Sequence, residues 1–179
     1  MWRKSQVAKP QRGNVVPRTP VNPDAIGGIG TESQPPPTDA ANEQPESENP
    51  GPLRILVVED NAINRKVMEL TLRRMGYEAD MAVDGLEAVE MATAKEYDAI
   101  LMDLHMPGMG GIEATKVIVG AVPKPPRVVA VTADVTSQSR EDCKRVGMAA
   151  YLTKPVDSGK LLYELKAAEV HRLSYAKTG

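Results

Sequence analysis

The sequence contains no phenylalanine, and aromatic residues make up only 3% of its 179 positions. Hydrophobic residues nevertheless amount to 41%, so the composition allows a packed core, which must be aliphatic and rich in methionine. A single cysteine, Cys143, excludes an intrachain disulfide and a zinc site built on cysteines. Its position in a predicted helix is typical of a small buried hydrophobic residue.

The sequence also lacks the long apolar run, on the order of 18 residues, that a membrane span requires. Its N-terminus has no apolar signal core. We therefore expect a cytoplasmic protein without membrane insertion. The net charge of −2 gives no electrostatic argument for binding to nucleic acid, and we expect no direct interaction of that kind.

Residues 1–52 differ in character from the rest of the chain. They hold ten of the fifteen prolines and few aliphatic residues. Such a composition cannot bury enough apolar surface to offset the entropy lost on ordering, so we predict a disordered tail or linker. All five charged residues before Asp24 are basic, whereas Asp24 to Glu48 holds six acids and no base. An alternative interpretation is that the basic segment docks on an acidic partner.

From Leu53 onward, short apolar runs alternate with segments of helical periodicity. The predicted strands are 54–58, 79–83, 99–102, 127–132 and 150–152, and the predicted helices are 61–75, 86–94, 112–119, 139–146 and 158–170. The apolar stripe of the first helix comprises Ile63, Val67, Leu70 and Met75, and that of the last comprises Leu161, Leu162, Leu165 and Ala168.

This alternation predicts an α/β fold over residues 53–170, followed by a C-terminal tail at 171–179. Five strand–helix pairs joined by right-handed crossovers give a parallel sheet covered on both faces. The expected architecture is a flavodoxin-like, doubly wound (βα)5 sandwich with strand order 2-1-3-4-5.

Polar side chains follow several of the predicted strands at the point where each strand ends. The third strand ends directly on Asp103, Glu59 and Asp60 follow the first, Thr132 closes the fourth, and Lys154 follows the fifth. Because the carboxyl ends of parallel strands share one edge, these groups should meet there. The crevice between the first and third strands should be lined by the three acids.

Three crowded carboxylates repel one another unless a cation joins them, and Mg²⁺ suits oxygen ligands at an open edge. A carboxylate beside Mg²⁺ can attack phosphorus, while a lysine shares the charge on the phosphoryl oxygens. Each residue also has a plainer explanation. Glu59 and Asp60 could cap a helix, Asp103 could be a turn acid, Lys154 a surface charge and Thr132 an ordinary strand residue. Their joint placement at successive strand ends favours a site.

Four motifs resemble the receiver domain of two-component response regulators, in the style of receivers attached to hybrid sensor histidine kinases. They span residues 55–61, 101–109, 131–133 and 151–155, and the resemblance covers about 53–170. It implies that Asp103 accepts a phosphoryl group from a phosphohistidine on a sensor histidine kinase or a histidine-phosphotransfer protein. It further implies that Mg²⁺ is held by Glu59, Asp60, Asp103 and the backbone carbonyl of His105.

The resemblance also implies a conformational switch. Lys154 would contact the phosphoryl group, Thr132 would turn inward to bond it, and Tyr151 would change rotamer in step with Thr132. This change would reshape the surface of the fourth helix, fifth strand and fifth helix, where a downstream protein could bind. In the family, the positions of His105 and Asp134, two residues after Asp103 and Thr132, tune the lifetime of the phosphoryl group; the alternative is that both are simply exposed loop residues.

The leading hypothesis is therefore a phosphoacceptor module of a phosphorelay and not a turnover enzyme. The alternative is a phosphatase or phosphotransferase that forms an aspartyl phosphate. Such enzymes place a second acid two residues after the nucleophile, where this sequence has His105. A nucleotide-binding domain is disfavoured, because the glycine cluster at 27–30 lies in the predicted tail and no Walker lysine follows it.

Overall fold

The computed structural model describes residues 51–176, so the predicted tail lies outside the described residues except for Gly51 and Pro52. Five strands alternate with five helices, as the sequence predicted. The elements are β1 (Ile55–Val58), α1 (Ala62–Arg74), β2 (Ala79–Ala82), α2 (Gly85–Ala94), β3 (Ala99–Met102), α3 (Gly111–Ala121), β4 (Arg127–Thr132), α4 (Ser137–Arg145), β5 (Ala150–Thr153) and α5 (Ser158–Ala176).

All five strands are parallel and lie in the order β2-β1-β3-β4-β5, which confirms the predicted topology. Val58, the last residue of β1, pairs with Met102, the last residue of β3. Thr132 of β4 pairs with Thr153 of β5 in the same way. β1 therefore ends level with β3, and β4 ends level with β5. Because Met102 pairs with Ala130, β4 runs two residues beyond β3. The residues that follow the strands nevertheless share one edge of the sheet.

The core forms two layers, one on each face of the sheet. Alternate residues of the strands point to opposite faces, so Leu56 and Ile100 lie in one layer and Val57 and Leu101 in the other. Helices α2, α3 and α4 cover the first layer, and α1 and α5 cover the second. The helical residues buried in these layers are Ala88, Ala92, Ala114, Ile118 and Cys143 on one side and Leu72, Leu161, Leu165 and Ala168 on the other.

The predicted apolar face of α1 is wrong. Ile63 is 74% exposed, Val67 58% and Leu70 44%, so three of the four stripe residues face solvent. A second series with helical spacing packs on the sheet instead, and it consists of Met68, Leu72 and Met75. Both series satisfy the periodicity of a helix, and only the fit against the sheet decides between them.

Several helix boundaries also differ from the prediction. Thr136 caps α4 by accepting a hydrogen bond from the backbone of Ser139, so this helix starts two residues earlier than expected. Helix α5 continues to Ala176, beyond the predicted end at Val170. On α5, Leu162 is exposed rather than buried with its predicted stripe. Within residues 51–176, no helix has both the length and the apolar character to cross a membrane.

At the amino-terminal edge of the sheet, Asp98 ties β1 to β3. Its buried carboxylate accepts hydrogen bonds from the backbone N–H of Arg54 at 2.8 Å and from Nε and Nη2 of the same residue at 3.1 and 2.8 Å. Burial raises the pKa of the Asp98 carboxyl, but the hydrogen bonds from Arg54 outweigh burial and lower this pKa overall.

We predict that Asp98→Asn lowers the free energy of unfolding by about 2–3 kcal/mol at neutral pH, because Arg54 would lose a buried charged acceptor. A carboxyl with a lowered native pKa stabilises the fold above its ordinary value of 3.8 and loses that effect as pH falls through the native value. The difference from wild type should therefore shrink in urea unfolding below that pH.

Glu96→Gln is the matched control, because Glu96 pairs with the same arginine at 2.9 Å but is 61% exposed. Glu96→Gln should lower the free energy of unfolding by less than about 0.5 kcal/mol. Equal losses in the two variants would contradict the role given to Asp98.

Candidate functional site

The backbone of the sheet sets the positions of Glu59 and Asp103. The N–H of Asp103 donates to the carbonyl of Val58 at 3.0 Å, and the N–H of Glu59 donates to the carbonyl of Ala82 at 3.2 Å. Each bond continues the strand ladder by one residue beyond the strand. The two acids therefore stand side by side on a backbone that the sheet holds in place.

The three predicted acids meet at this edge. Ligand oxygens of Glu59, Asp60 and Asp103 all lie within 4.8 Å of one another. Glu59 and Asp103 are buried, whereas Asp60 is exposed. The donor set consists only of carboxylate oxygens and is open to solvent on one side, which suits a hard divalent cation such as Mg²⁺.

Lys154 lies between two of these acids. Its backbone N–H donates to the carbonyl of Thr132 at 2.8 Å, which extends the pairing of β4 and β5. Its ammonium nitrogen lies 2.6 Å from Oε2 of Glu59 and 2.6 Å from Oδ2 of Asp103. Burial lowers the pKa of Lys154, but the hydrogen bonds to Asp103 and Glu59 outweigh burial and raise it. The lysine therefore stays protonated at neutral pH.

The carboxylate of Asp103 is held at both oxygens. Oδ2 accepts from Lys154, and Oδ1 accepts from the backbone N–H of His105 at 3.2 Å. Each carboxylate oxygen has two lone pairs, so one donor on each leaves further lone pairs for a metal ion or an electrophile. The arrangement orients Asp103 without using up its capacity to react.

Gly111, at the start of α3, packs against the backbone carbonyl of Asp103, and it was not predicted from the sequence. A Cβ at this position would lie 2.0 Å from the carbonyl oxygen of Asp103 and 2.8 Å from Cγ of Met102. Only glycine lets the start of α3 approach the backbone this closely. The pair Gly110-Gly111 just before the predicted helix was the signal available in the sequence.

Thr132 is fully buried, and within the described part of the chain its hydroxyl bonds to His105 and Asp134 rather than to Asp103. Nδ1 of His105 lies 3.3 Å from Oγ1 of Thr132, and the backbone N–H of Asp134 donates to the same oxygen at 3.2 Å. This contact of the His105 side chain with Thr132 was not predicted from the sequence, in which His105 was expected to hold the metal through its backbone carbonyl alone.

Tyr151 reaches the same loop from β5. Its hydroxyl donates to the backbone carbonyl of Asp134, and the guanidinium carbon of Arg140 lies 4.7 Å from the centre of its ring. The backbone of Asp134 thus contacts both side chains: its carbonyl accepts from Tyr151, and its N–H donates to Thr132. Thr132 and Tyr151 are therefore joined through the backbone of one residue, Asp134.

Comparison with known families agrees with this geometry. The model of the response regulator receiver domain matches residues 55–166, which include every acid, hydroxyl and amine described above. The matched segment begins with β1 and ends within α5.

Curated relatives are much longer proteins. The sensory/regulatory protein RpfC of Xanthomonas campestris is 40% identical over 114 residues, which cover 62% of this chain and 16% of that protein. Hybrid signal transduction histidine kinase B of Dictyostelium discoideum is 37% identical over 124 residues, which cover 63% of this chain and 6% of that protein. The chain thus spans less than a fifth of the length of these relatives.

Solved structures share the fold. The receiver domain of the sensor histidine kinase PA1611 from Pseudomonas aeruginosa, solved with a magnesium ion in its active-site cleft, is 38% identical with a TM-score of 0.60. The match covers 65% of this chain and 97% of that one. The chemotaxis protein CheY4 of Vibrio cholerae is 29% identical with a TM-score of 0.60, over 66% of this chain and 99% of that one.

We predict that Gly111→Ala destabilises the protein by about 2 kcal/mol or more, because the new methyl group would overlap the carbonyl of Asp103. Glycine to alanine in a helix normally stabilises by up to about 1 kcal/mol. Gly120→Ala, in the same helix with open space around it, should show that ordinary gain. Urea unfolding of both variants checks the opposite signs, and a gain in both would refute the close packing at Gly111.

Proposed function

The chain belongs to the response regulator receiver domain family, and on this premise we propose that Asp103 accepts a phosphoryl group from a phosphohistidine in a two-component phosphorelay. The observation that carries the proposal is the buried carboxylate of Asp103, placed beside Glu59 and 2.6 Å from the ammonium group of Lys154. The donor would be a sensor histidine kinase or a histidine-phosphotransfer protein.

The reaction would need a divalent cation, and the residues present fit Mg²⁺. Glu59, Asp60 and Asp103 supply three carboxylates within 4.8 Å, and the backbone carbonyl of His105 would complete the protein ligands. The receiver domain of the Pseudomonas kinase holds a magnesium ion in its active-site cleft, which supports Mg²⁺ as the ion here. When bound, the ion would supply positive charge to the phosphoryl oxygens.

The residues of the chain would divide the remaining tasks. A carboxylate oxygen of Asp103 would form the new O–P bond while the N–P bond of the phosphohistidine breaks, and the electron pair would stay on the imidazole nitrogen. Lys154 would exchange its contact with Oδ2 of Asp103 for a phosphoryl oxygen. The product would be an aspartyl phosphate on this chain, so we propose a signalling module rather than a turnover enzyme.

The hydroxyl of Thr132 would link this chemistry to conformation. A phosphoryl group on Asp103 would draw the hydroxyl away from His105 and from the N–H of Asp134. Because Tyr151 bonds the carbonyl of the same residue, its rotamer would change in step. The surface of α4, β5 and α5 would then differ between the two states and could recruit a downstream protein.

The solvent-facing stripe of α1 is a suitable docking surface for the phosphodonor. Ile63, Val67 and Leu70 are exposed apolar side chains on the helix that begins directly after the acid pair. A donor that presents a phosphohistidine to Asp103 must approach this edge of the sheet. An apolar helix face on the donor would bury the stripe on contact.

We predict that Asp103→Asn abolishes labelling by radioactive acetyl phosphate in the presence of Mg²⁺, because the amide cannot form the acyl phosphate. Asp142→Asn is the control, since Asp142 lies on α4 in an ion pair with Arg145; it should label like wild type. Undiminished labelling of Asp103→Asn would show that Asp103 is not the phosphoryl acceptor.

We predict that Thr132→Ala still becomes labelled but responds weakly in conformation, because the hydroxyl that senses the phosphoryl group is gone. The readout is the change in backbone amide NMR signals of α4, β5 and α5 on phosphorylation. Thr132→Ser keeps the hydroxyl and should retain the response. A full response of Thr132→Ala would contradict the proposed switch.

A further inference from the structure

We propose that Asn64 and Arg65, in the first two turns of α1, are positioning residues that hold Glu59 and Asp60 in the geometry that binds Mg²⁺. Neither residue belongs to the site predicted from the sequence. The inference rests on the proposed function, because it concerns the metal that this function requires. Asn64 and Arg65 would contact the acid pair and not the metal ion itself.

Asn64 fixes the carboxylate of Glu59. Its Nδ2 donates to Oε1 of Glu59 at 2.8 Å, while Lys154 donates to Oε2 at 2.6 Å. The two donors bind different oxygens and come from different elements, one from α1 and the other from the end of β5. Held at both oxygens, the carboxylate cannot rotate freely. With Lys154 alone it would keep one anchor and lose its orientation toward Asp60 and Asp103.

Arg65 fixes the backbone that carries the acid pair. Its Nη1 donates to the carbonyl of Glu59 at 2.6 Å and to the carbonyl of Asp60 at 2.8 Å. On the other side, the N–H of Glu59 donates to the carbonyl of Ala82 at 3.2 Å. The peptide groups around both acids are therefore tied to β2 and to α1. The position of the exposed Asp60 side chain depends on this tie.

Helix stability does not explain these contacts. The start of α1 is already capped by Asn61, whose side chain accepts from the backbone N–H groups of Ile63 and Asn64. An arginine near the amino end of a helix meets the positive end of the helix dipole, which is unfavourable. The first turn of α1 also contains no acid. The placement of Arg65 is instead accounted for by the two carbonyl groups that it binds.

The test is a calorimetric titration of the full chain with Mg²⁺ alone, without a phosphodonor. Loss of a group that orients metal ligands typically costs about 10- to 100-fold in metal affinity. We expect Asn64→Ala and Arg65→Ala each to raise the Kd for Mg²⁺ by about tenfold or more. Arg74→Ala, an exposed position at the other end of the same helix, should leave the Kd unchanged.

The direction of the Arg65 effect separates positioning from charge. Removing a positive charge near a cation site strengthens cation binding if only electrostatics act. Weaker binding by Arg65→Ala would therefore identify positioning. Arg65→Lys keeps the charge and a donor for the carbonyls, and it should restore most of the affinity.

Thermal unfolding of the same variants tests whether a loss of Mg²⁺ affinity is due to a loss of stability. Alanine favours helix, so Asn64→Ala should keep the Tm of wild type while losing Mg²⁺ affinity. Unchanged or tighter binding in both alanine variants would overturn the inference and leave the proposed function standing. A wild-type chain that binds no Mg²⁺ would overturn both. Normal labelling of Asp103→Asn would overturn the proposed function alone, since the titration requires no phosphoryl transfer.

Discussion

The site depends on the double ion pair of Lys154. Its ammonium nitrogen lies 2.6 Å from a carboxylate oxygen of Glu59 and 2.6 Å from one of Asp103. Three carboxylates within 4.8 Å of one another repel each other. One fixed cation offsets part of that repulsion and leaves Asp60 at the open side. With one ammonium group beside three carboxylates, the site keeps an excess of negative charge, which suits the divalent metal ion proposed for it.

The parallel sheet is what makes this arrangement possible. Lys154 and Glu59 are 95 positions apart in sequence, yet the ladder of the sheet brings the residues after β1, β3 and β5 to one edge. The level ends of β1 and β3 place Glu59 beside Asp103. Behind Asp103, the absence of a side chain at Gly111 lets α3 pack directly on its carbonyl. The same ladder carries Thr132, so the group that would sense phosphorylation is built on the same scaffold.

Much of this could be predicted from sequence, because apolar runs that end on polar residues mark both the strands and their carboxyl edge. The predicted strand order is confirmed. The same pattern placed the acids and Lys154 at one edge of the sheet, where the structure has Lys154 in contact with Glu59 and Asp103. The bridging position of the lysine could not be predicted, since it depends on how long side chains reach across the sheet.

Other features depend on packing that periodicity does not encode. Two apolar series on α1 have helical spacing, and the sheet selected Met68 and Leu72 rather than Ile63 and Val67. The contact of His105 with Thr132 and those of Asn64 and Arg65 with the acid pair depend on side-chain direction. His105 is itself a predicted site residue, and Asn64 and Arg65 lie within five residues of Asp60. Proximity in sequence was therefore the only indication of these contacts.

We propose that Asp103, next to Lys154 and a bound metal ion, is the phosphoryl acceptor of this domain. Peptide mapping by mass spectrometry, after reaction of the wild-type chain with acetyl phosphate, tests it most directly. We expect a phosphoryl group on the peptide that contains Asp103. It should form with Mg²⁺, be absent when the metal is chelated, and be removed by hydroxylamine, as an acyl phosphate is. A phosphoryl group on a different residue, or equal modification without the metal, would contradict it.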